Sequence, residues 1–437
     1  MSARMPATPD VTDMASAVTD PFPPGHADPR RVLEALVGVP FTEGNRIDVL
    51  RNGDEIFPAW LEAIRTATRT IDLLTYLWGK GPVTGEIASA LVERARAGVR
   101  VRVLLDALGS KGVDRSLVER LRGAGAQVLF FRPVPNWRIT VLNARTHRRA
   151  LICDGEVAFT GGTGIDEAWT GGGRSRGDWR DTGFRVRGPA VDGVRAAFAA
   201  SWVQTPRTLI GEPDHFPALA ADGDAVVQVL RSASQPGWNE SMVAIVGLLH
   251  TARDRVDITT PYARLPVRLL DALTATARRG VQVRMLLPGP HVDHPLVALQ
   301  GDHDRQALLD AGVEIWRYQP SMLHTKVITV DGLTAMVGTV NLDARSLVLN
   351  EQVALVISDT GTTAALDRDF MEDLDHSRQL TRSDWSRRGP HRQILESVAH
   401  AAGRPARGMG AAGMTGPRSW KQYRSDRLSD SGSDRGG

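Results

Sequence analysis

The sequence predicts an α/β fold built from two tandem domains that arose by internal duplication. Short apolar segments of strand type alternate with amphipathic helical segments in both halves of the 437-residue chain. The stretch Arg-Ala-Gly-Val-Arg-Val-Arg-Val-Leu-Leu, which begins at Arg96, returns in the second half as Arg-Arg-Gly-Val-Gln-Val-Arg-Met-Leu-Leu. Its glycines, Gly98 and Gly280, are 182 residues apart, close to the 185 residues between Asp72 and Asp257. Two such halves can meet about a pseudo-twofold axis and bring matching residues to one shared site.

Both halves contain the same order of elements. The first half has helix, strand, helix and strand patterns at 57–64, 71–76, 87–95 and 99–105. The second half repeats them at 242–249, 256–260, 269–277 and 281–287. Each second helix is followed by a glycine in the position where a left-handed cap is common. We expect a mainly parallel or mixed sheet in each domain, with the first domain at 43–212 and the second at 213–378.

Composition is that of an ordinary globular protein, with 42% hydrophobic and 24% charged residues. The single cysteine, Cys153, cannot form an intramolecular disulfide, so the sequence carries no sign of adaptation to an oxidising compartment. We therefore expect the protein to fold in the cytoplasm.

Both ends of the chain have a biased composition. Residues 1–42 are rich in proline and lack the apolar core of a signal peptide, which predicts a disordered leader. Residues 379–437 form a basic tail that we expect to be largely disordered. Apolar runs such as 243–249 are far shorter than the ~20 residues that a spanning helix needs. A role at a membrane would therefore be peripheral, on its cytoplasmic side, with the tail attracted to an anionic surface or simply solvated.

The strongest chemical signal is a group of polar residues in the second half. His324 and Lys326 are two residues apart on a predicted strand, so their side chains point to the same face. Asp331 and Gly332 suit the turn that follows, and Gly338 permits close approach of the backbone to a ligand. The group continues through Thr339, Asn341, Asp343, Arg345, Ser346, Asn350 and Glu351.

This combination suits a phosphodiester substrate. An imidazole can act as a nucleophile when neutral and as an acid when protonated. Lysine and asparagine can hold non-bridging phosphate oxygens as negative charge develops. These groups need no metal and no cofactor, and His291 and His294 have no third ligand at a matching spacing.

With these residues the sequence resembles the phospholipase D superfamily, whose His-x-Lys motif occurs twice, and the extended second motif is similar to that of bacterial cardiolipin synthases. The resemblance covers about 46–377 and implies two phospholipase D-like α/β domains that share an active site. The first copy is His147-Arg-Arg149, followed by Asp154 and Gly162. It departs from the family pattern in two places, with Arg149 in place of lysine and Gly164 in place of asparagine. Arginine keeps the charge but differs in size and shape.

The resemblance also implies roles for these residues. A carboxylate after each motif orients the catalytic imidazole in the family, and Asp181 and Glu351 are expected to do so in this chain. His147 is expected to attack phosphorus and His324 to act as acid and base. Asp154 and Asp331 are expected to support the site by holding the turn after each motif strand. Substrate phosphate is expected to contact Gly162, Gly338, Thr339 and Asn341.

The expected activity is synthesis of cardiolipin from phosphatidylglycerol through a phosphatidyl-histidine intermediate. Alternatives are a phospholipase D-type hydrolase or transphosphatidylase, another phosphodiesterase of the superfamily, or a phospholipid-binding protein with impaired catalysis. The expected partners are a phospholipid and an anionic membrane surface, and no nucleic acid. Because both motifs lie in one chain, no oligomer is required.

Overall fold

The computed structural model describes residues 28–133, 145–205, 209–212, 215–233, 239–387 and 389. The strands of the first half, in chain order, are β1 (Thr42–Arg51), β2 (Thr70–Thr75), β3 (Arg100–Asp106), β4 (Gln127–Phe131), β5 (Ala150–Cys153), β6 (Val157–Gly161), β7 (Trp179–Arg180) and β8 (Thr182–Arg187). The strands of the second half are β9 (Ala225–Leu230), β10 (Arg255–Thr259), β11 (Gln282–Pro288), β12 (Glu314–Tyr318), β13 (Met322–Leu323), β14 (Val327–Val330), β15 (Thr334–Gly338), β16 (Ala354–Ser358) and β17 (Ser377–Leu380).

Helices cover both faces of the sheet that these strands form. Those of the first half are α1 (Pro29–Val37), α2 (Asn52–Thr66), α3 (Pro82–Arg96), α4 (Arg115–Gly123) and α5 (Val191–Val203). Those of the second half are α6 (Glu240–Thr251), α7 (Val267–Arg278), α8 (Pro295–Gly301), α9 (Arg305–Asp310), α10 (Ala344–Val348), α11 (Thr360–Asp375) and α12 (Arg382–Ser386). Short 3₁₀ helices lie at Glu167–Trp169 and Asp302–Asp304.

Fifteen strands form one continuous sheet, in which each half repeats the same order. Outward from the centre, the first half runs β1-β8-β6-β5-β2-β3-β4 and the second runs β9-β16-β15-β14-β10-β11-β12, with β17 added at the edge. The outer strands β2-β3-β4 and β10-β11-β12 are parallel, and the others pair antiparallel. β1 and β9 join the halves antiparallel, with Thr42 opposite Val227. The structure confirms the predicted duplicated α/β fold.

Two predicted disordered regions are partly ordered. Residues 28–42 contain α1, which Asp28 caps by accepting a hydrogen bond from the Arg30 backbone N–H, and whose Leu33 side chain is fully buried. Residues 379–387 complete β17 and form α12, whose Trp385 packs into the core of the second half. An amphipathic face makes each segment part of the fold. The rest of the predicted leader, 1–27, and nearly all of the remaining tail lie outside the described residues.

The turn after each motif strand is built in the same way in both halves. The Asp154 carboxylate accepts hydrogen bonds from the backbone N–H groups of residues 68–70 at 2.7–2.9 Å. The Asp331 carboxylate accepts from those of residues 253–255 at 2.8–2.9 Å. Both aspartates have positive φ, 53° and 54°, a region that Asp tolerates better than most residues. Burial alone would raise the pKa of Asp154, but these N–H groups lower it below its ordinary value.

The Asp331 turn gives a direct test of this packing. We expect Asp331→Ala to lower the free energy of unfolding by about 2–4 kcal/mol, because three charge-assisted hydrogen bonds are lost. Asp331→Asn should cost less, since an amide oxygen still accepts and Asn tolerates positive φ. Urea denaturation of both variants measures the difference. Equal stability of the two variants would contradict a role for these hydrogen bonds.

Candidate active site

The two motif histidines lie on segments that pair with the opposite half of the molecule. The His147 backbone N–H donates to the carbonyl of Glu351 at 2.9 Å, and the His324 backbone N–H donates to the carbonyl of Arg180 at 2.7 Å. β13, just before His324, pairs parallel with β7 of the first half. This exchange brings both motifs close together at the boundary between the halves.

His324 lies in a buried group of charged and aromatic side chains. Its Nδ1 is 2.9 Å from Asp181 Oδ2, and Lys326 Nζ is 3.0 Å from the same nitrogen. Lys326 Nζ also donates to the His324 carbonyl. Asp181 is fully buried, and burial alone would raise its pKa, but Lys326 and His324 lower it below its ordinary value. Asp181 is therefore a carboxylate that orients the His324 ring.

Burial also changes the acidity of the groups around His324. Burial, together with the charge of Lys326, lowers the pKa of His324 to about 4, although Asp181 opposes this change. Burial lowers the pKa of Lys326 to about 7. Without substrate, His324 is thus neutral at pH 7 and Lys326 is near its midpoint.

His147 has different neighbours. Its Nδ1 is 3.4 Å from the carbonyl oxygen of Thr339 and 3.4 Å from Arg149 Nη1, and its ring lies 4.8 Å from the ring of Tyr76. Burial, followed by the charges of Arg149 and Lys326, holds the pKa of His147 well below its ordinary value. A neutral imidazole with a free lone pair on Nε2 is the nucleophilic form.

Arg149 takes the place of a lysine without losing its charge. Its side chain is buried, and burial lowers its pKa to about 10, so it stays protonated at neutral pH. Its Nε has no hydrogen-bond partner among the described residues, and its guanidinium lies 6.0 Å from the Tyr76 ring. A buried donor without a partner is costly unless a ligand satisfies it. Arg149 therefore carries a buried positive charge and a donor that no described residue satisfies.

The sequence predicted that Glu351 is the counterpart of Asp181, but the register of the sheet shows that it is not. The last residue of β6 lies opposite Gly183, and the last residue of β15 lies opposite Ala354. Asp181 lies two residues before Gly183, and Gln352 lies two residues before Ala354. The equivalent of Asp181 is thus a neutral amide, one residue beyond Glu351.

The side chain of Glu351 points to other partners. Its carboxylate accepts hydrogen bonds from Ser201 Oγ at 2.9 Å and Gln204 Nε2 at 3.1 Å, and lies 3.3 Å from Arg148 Nη1. It reaches His147 through its backbone carbonyl. Alternation of side chains along a strand explains the difference, since a shift of one residue reverses the face. Glu351 fixes the position of the first motif segment and does not orient its imidazole ring.

The two glycines predicted to contact phosphate serve packing in this structure. A Cβ on Gly162 would lie 2.4 Å from Asp181 Oδ1, so this glycine leaves room for the carboxylate. Gly338 has φ of 137°, and its Cβ would lie 2.4 Å from the Val353 carbonyl oxygen. The close approach at Gly338 is therefore to a neighbouring strand.

Thr339 and Asn341 differ in their free hydrogen-bonding capacity. The Thr339 hydroxyl donates to Gln352 Oε1 at 2.6 Å and accepts from the Val353 backbone N–H at 3.1 Å. Asn341 is buried, and its Oδ1 has no hydrogen-bond partner among the described residues. Its amide thus has polar atoms available, whereas the Thr339 hydroxyl is used within the protein. Asp154 and Asp331 lie at the far ends of β5 and β14 from the two histidines.

Aromatic residues that were not among the predicted site residues also lie near the two histidines. Tyr76 packs on His147, while Trp169 and Tyr262 lie 5.2 and 6.4 Å from the His324 ring. Tyr76 and Tyr262 follow the first parallel strand of each half, an edge where ligands commonly bind in α/β sheets. That position was a usable signal for the tyrosines. Trp169 had none, because its place depends on the tertiary fold.

The site combines cations and imidazoles. Among the described residues, no cluster of His, Cys, Asp and Glu could hold a metal ion, and no helix is long and apolar enough to cross a bilayer. Each of the two equivalent halves contributes one imidazole and one buried cation, and the four groups are neighbours. The fold and site thus define a duplicated α/β protein suited to phosphodiester chemistry.

Comparisons with known proteins agree with this class. The family model described as "Cardiolipin synthase, PLD-like domain" matches residues 60–171 and 245–374. A cardiolipin synthase of Oceanobacillus iheyensis is 32% identical over 82% of this chain and 75% of its own length. The major cardiolipin synthase of Bacillus subtilis is 33% identical over the same shares of the two chains. This chain belongs to the PLD-like cardiolipin synthase family, and so is a phosphatidyltransferase of the phospholipase D superfamily.

A solved structure supports the fold independently. The phosphatidylserine synthase of Haemophilus influenzae superposes with a TM-score of 0.64 over 92% of this chain and 99% of its own. The two sequences are only 15% identical, so this likeness concerns the fold alone.

The acidity of Lys326 predicts a pH dependence. As pH rises through about 7, Lys326 loses its proton and the site loses a positive charge, so kcat/KM for phosphatidyl transfer should fall on the alkaline side. We expect Lys326→Arg to move this limb to higher pH, because a guanidinium stays charged. Initial rates between pH 5 and 10 measure the alkaline limb in the unchanged chain and in the variant. An alkaline limb that stays in place in the variant would mean that another group titrates.

Proposed function

We propose that this chain makes cardiolipin from phosphatidylglycerol through a phosphatidyl-histidine intermediate on His147. The proposal rests on the different surroundings of the two histidines. His324 is oriented by the carboxylate of Asp181, whereas His147 faces a backbone carbonyl and two cations. A carboxylate partner suits an acid and base, and a neutral imidazole near cations suits a nucleophile that attacks a phosphate anion.

In the first step, His147 Nε2 attacks the phosphorus of one phosphatidylglycerol. The new P–N bond forms as the P–O bond to the headgroup glycerol breaks, and protonated His324 gives its Nε2 proton to the departing oxygen. His324 must therefore gain a proton when substrate binds. The anionic phosphate offsets the charge of Lys326 and so raises the pKa of His324 in the complex.

In the second step, neutral His324 takes a proton from a glycerol hydroxyl of a second phosphatidylglycerol. That oxygen attacks phosphorus, the P–N bond breaks, and its electron pair returns to His147. The products are cardiolipin and an unmodified enzyme. Arg149, Lys326 and Asn341 stabilise the charge on the non-bridging oxygens in both steps, and water as the acceptor would instead give phosphatidic acid.

A membrane-embedded substrate calls for contact with the lipid surface. We infer peripheral binding on the cytoplasmic side, with support from the basic residues of 379–437, each worth about 1 kcal/mol close to an anionic leaflet. From Arg378 to the end of the given sequence there are twelve Lys or Arg residues and five Asp or Glu residues.

The test is turnover of phosphatidylglycerol vesicles by the purified full-length chain, followed by mass spectrometry of lipids and glycerol. Cardiolipin and glycerol in equal amounts support the synthase. Phosphatidic acid alone indicates a hydrolase, and binding without turnover indicates a protein with impaired catalysis. We expect His147→Ala and His324→Ala to lower the rate by at least about 10²–10⁴-fold. His376→Ala is the matched control, because that histidine is exposed and lies at the end of α11.

The covalent step is tested separately. Rapid quenching at alkaline pH, where a phosphoramidate survives, should leave a phosphatidyl group on the peptide that contains His147. The adduct should be absent in His147→Ala. An adduct on His324 instead would reverse the two roles.

A further inference from the structure

We propose that Trp169 is a positioning residue for His324, which holds the Asp181 carboxylate through its indole N–H in space that Gly164 provides. This inference deepens the proposed function and rests on it for the role of His324. Trp169 acts through Asp181 and does not contact the reacting atoms.

The Asp181 carboxylate is fixed by three donors. Its Oδ2 accepts from Trp169 Nε1 at 2.8 Å and faces His324 Nδ1 at 2.9 Å. Its Oδ1 accepts from the Thr182 backbone N–H at 2.8 Å. The oxygen that orients the imidazole is therefore the oxygen that the indole holds. A rigid, uncharged donor at this point sets the direction of the carboxylate without adding a positive charge beside His324.

Packing adds to this constraint. The Trp169 ring meets the His324 ring edge to face at 5.2 Å and 85°. Trp179 lies 4.2 Å from Trp169 and 5.1 Å from His324. The His324 ring is thus confined by two indoles, and Trp169 also holds Asp181 through its hydrogen bond.

Gly164 is the position that makes this arrangement possible. It is 177 residues before Asn341, the same spacing as between His147 and His324, so the two positions are equivalent. A Cβ on Gly164 would lie 3.0 and 3.1 Å from two ring carbons of Trp169. A larger side chain at this position would displace the indole. The missing asparagine of the first motif is therefore linked to the presence of Trp169 behind the other histidine.

The Trp169 backbone is anchored independently of the site. It ends a short 3₁₀ helix that Asp166 caps by accepting from the Ala168 backbone N–H at 3.0 Å. Asp166 also accepts from the Lys80 backbone N–H at 2.8 Å. These bonds remain when the indole is changed, so Trp169→Phe removes the N–H donor and keeps an aromatic ring in place.

Among the described residues, the charged groups that face His324 are Asp181, Lys326 and Arg149, and the titratable rings near it are those of His147 and Tyr262. Without the indole donor, the Asp181 carboxylate interacts more strongly with the His324 ring, and this interaction stabilises the imidazolium form of His324. We therefore expect Trp169→Phe to raise the pKa of His324 by roughly one pH unit. We also expect a roughly tenfold lower kcat and a smaller change in KM, because the carboxylate is less well oriented.

The experiment compares Trp169→Phe with Trp179→Phe in the full-length chain. The second variant changes the same aromatic packing without removing the hydrogen bond from Trp169 to Asp181. Titration of the His324 ring by NMR with labelled histidine, assigned with His324→Ala, reads the pKa without any need for turnover. The pH profile of kcat on phosphatidylglycerol vesicles is the second readout.

An upward shift of the His324 titration in Trp169→Phe but not in Trp179→Phe supports the proposal. Equal shifts in both variants, or none in either, would overturn it and leave Trp169 a packing residue. If the unchanged chain makes no cardiolipin, the proposed function fails, while the NMR comparison still decides the role of Trp169.

Discussion

The exchange of backbone hydrogen bonds between the halves is the constraint on which the site depends. Each motif histidine is held by a carbonyl of the other half, His147 by Glu351 and His324 by Arg180. The central pairing of β1 with β9 makes the two halves one sheet, and this exchange holds the two motif segments next to each other. Neither histidine would have its partners if the halves were separate, since Asp181 lies in the first half and His324 in the second.

Symmetry of the backbone contrasts with asymmetry of the side chains. The two halves repeat strand order and the aspartate turn, yet three equivalent pairs differ in chemistry: Arg149 with Lys326, Gly164 with Asn341, and Asp181 with Gln352. Each difference falls near a histidine. Duplication supplies two similar frames, and substitution within them gives the two imidazoles different surroundings.

Periodicity, glycine position and motif spacing were sufficient to predict the duplicated α/β fold, and the resemblance to the phospholipase D superfamily implied that both histidines and both cations lie in one shared site. The pairing register of the strands was harder to predict. Glu351 was assigned as the counterpart of Asp181 because the family resemblance implied a carboxylate after each motif. The pairing of β15 with β16 shows Gln352 in that place, and a one-residue error reverses the side-chain face. Trp169 was missed because its contact with Asp181 spans two loops. The order of 28–42 was also missed, since its prolines obscured a short amphipathic segment.

The continuous sheet also limits how the two halves can move relative to each other. Many two-part enzymes open and close by rotating one lobe against the other about a flexible link. In this chain such a rotation would break the ladder between β1 and β9 and the carbonyl contacts that hold both histidines. Among the described residues, this pairing therefore opposes rotation of one half against the other, and the two motif histidines keep their relative positions.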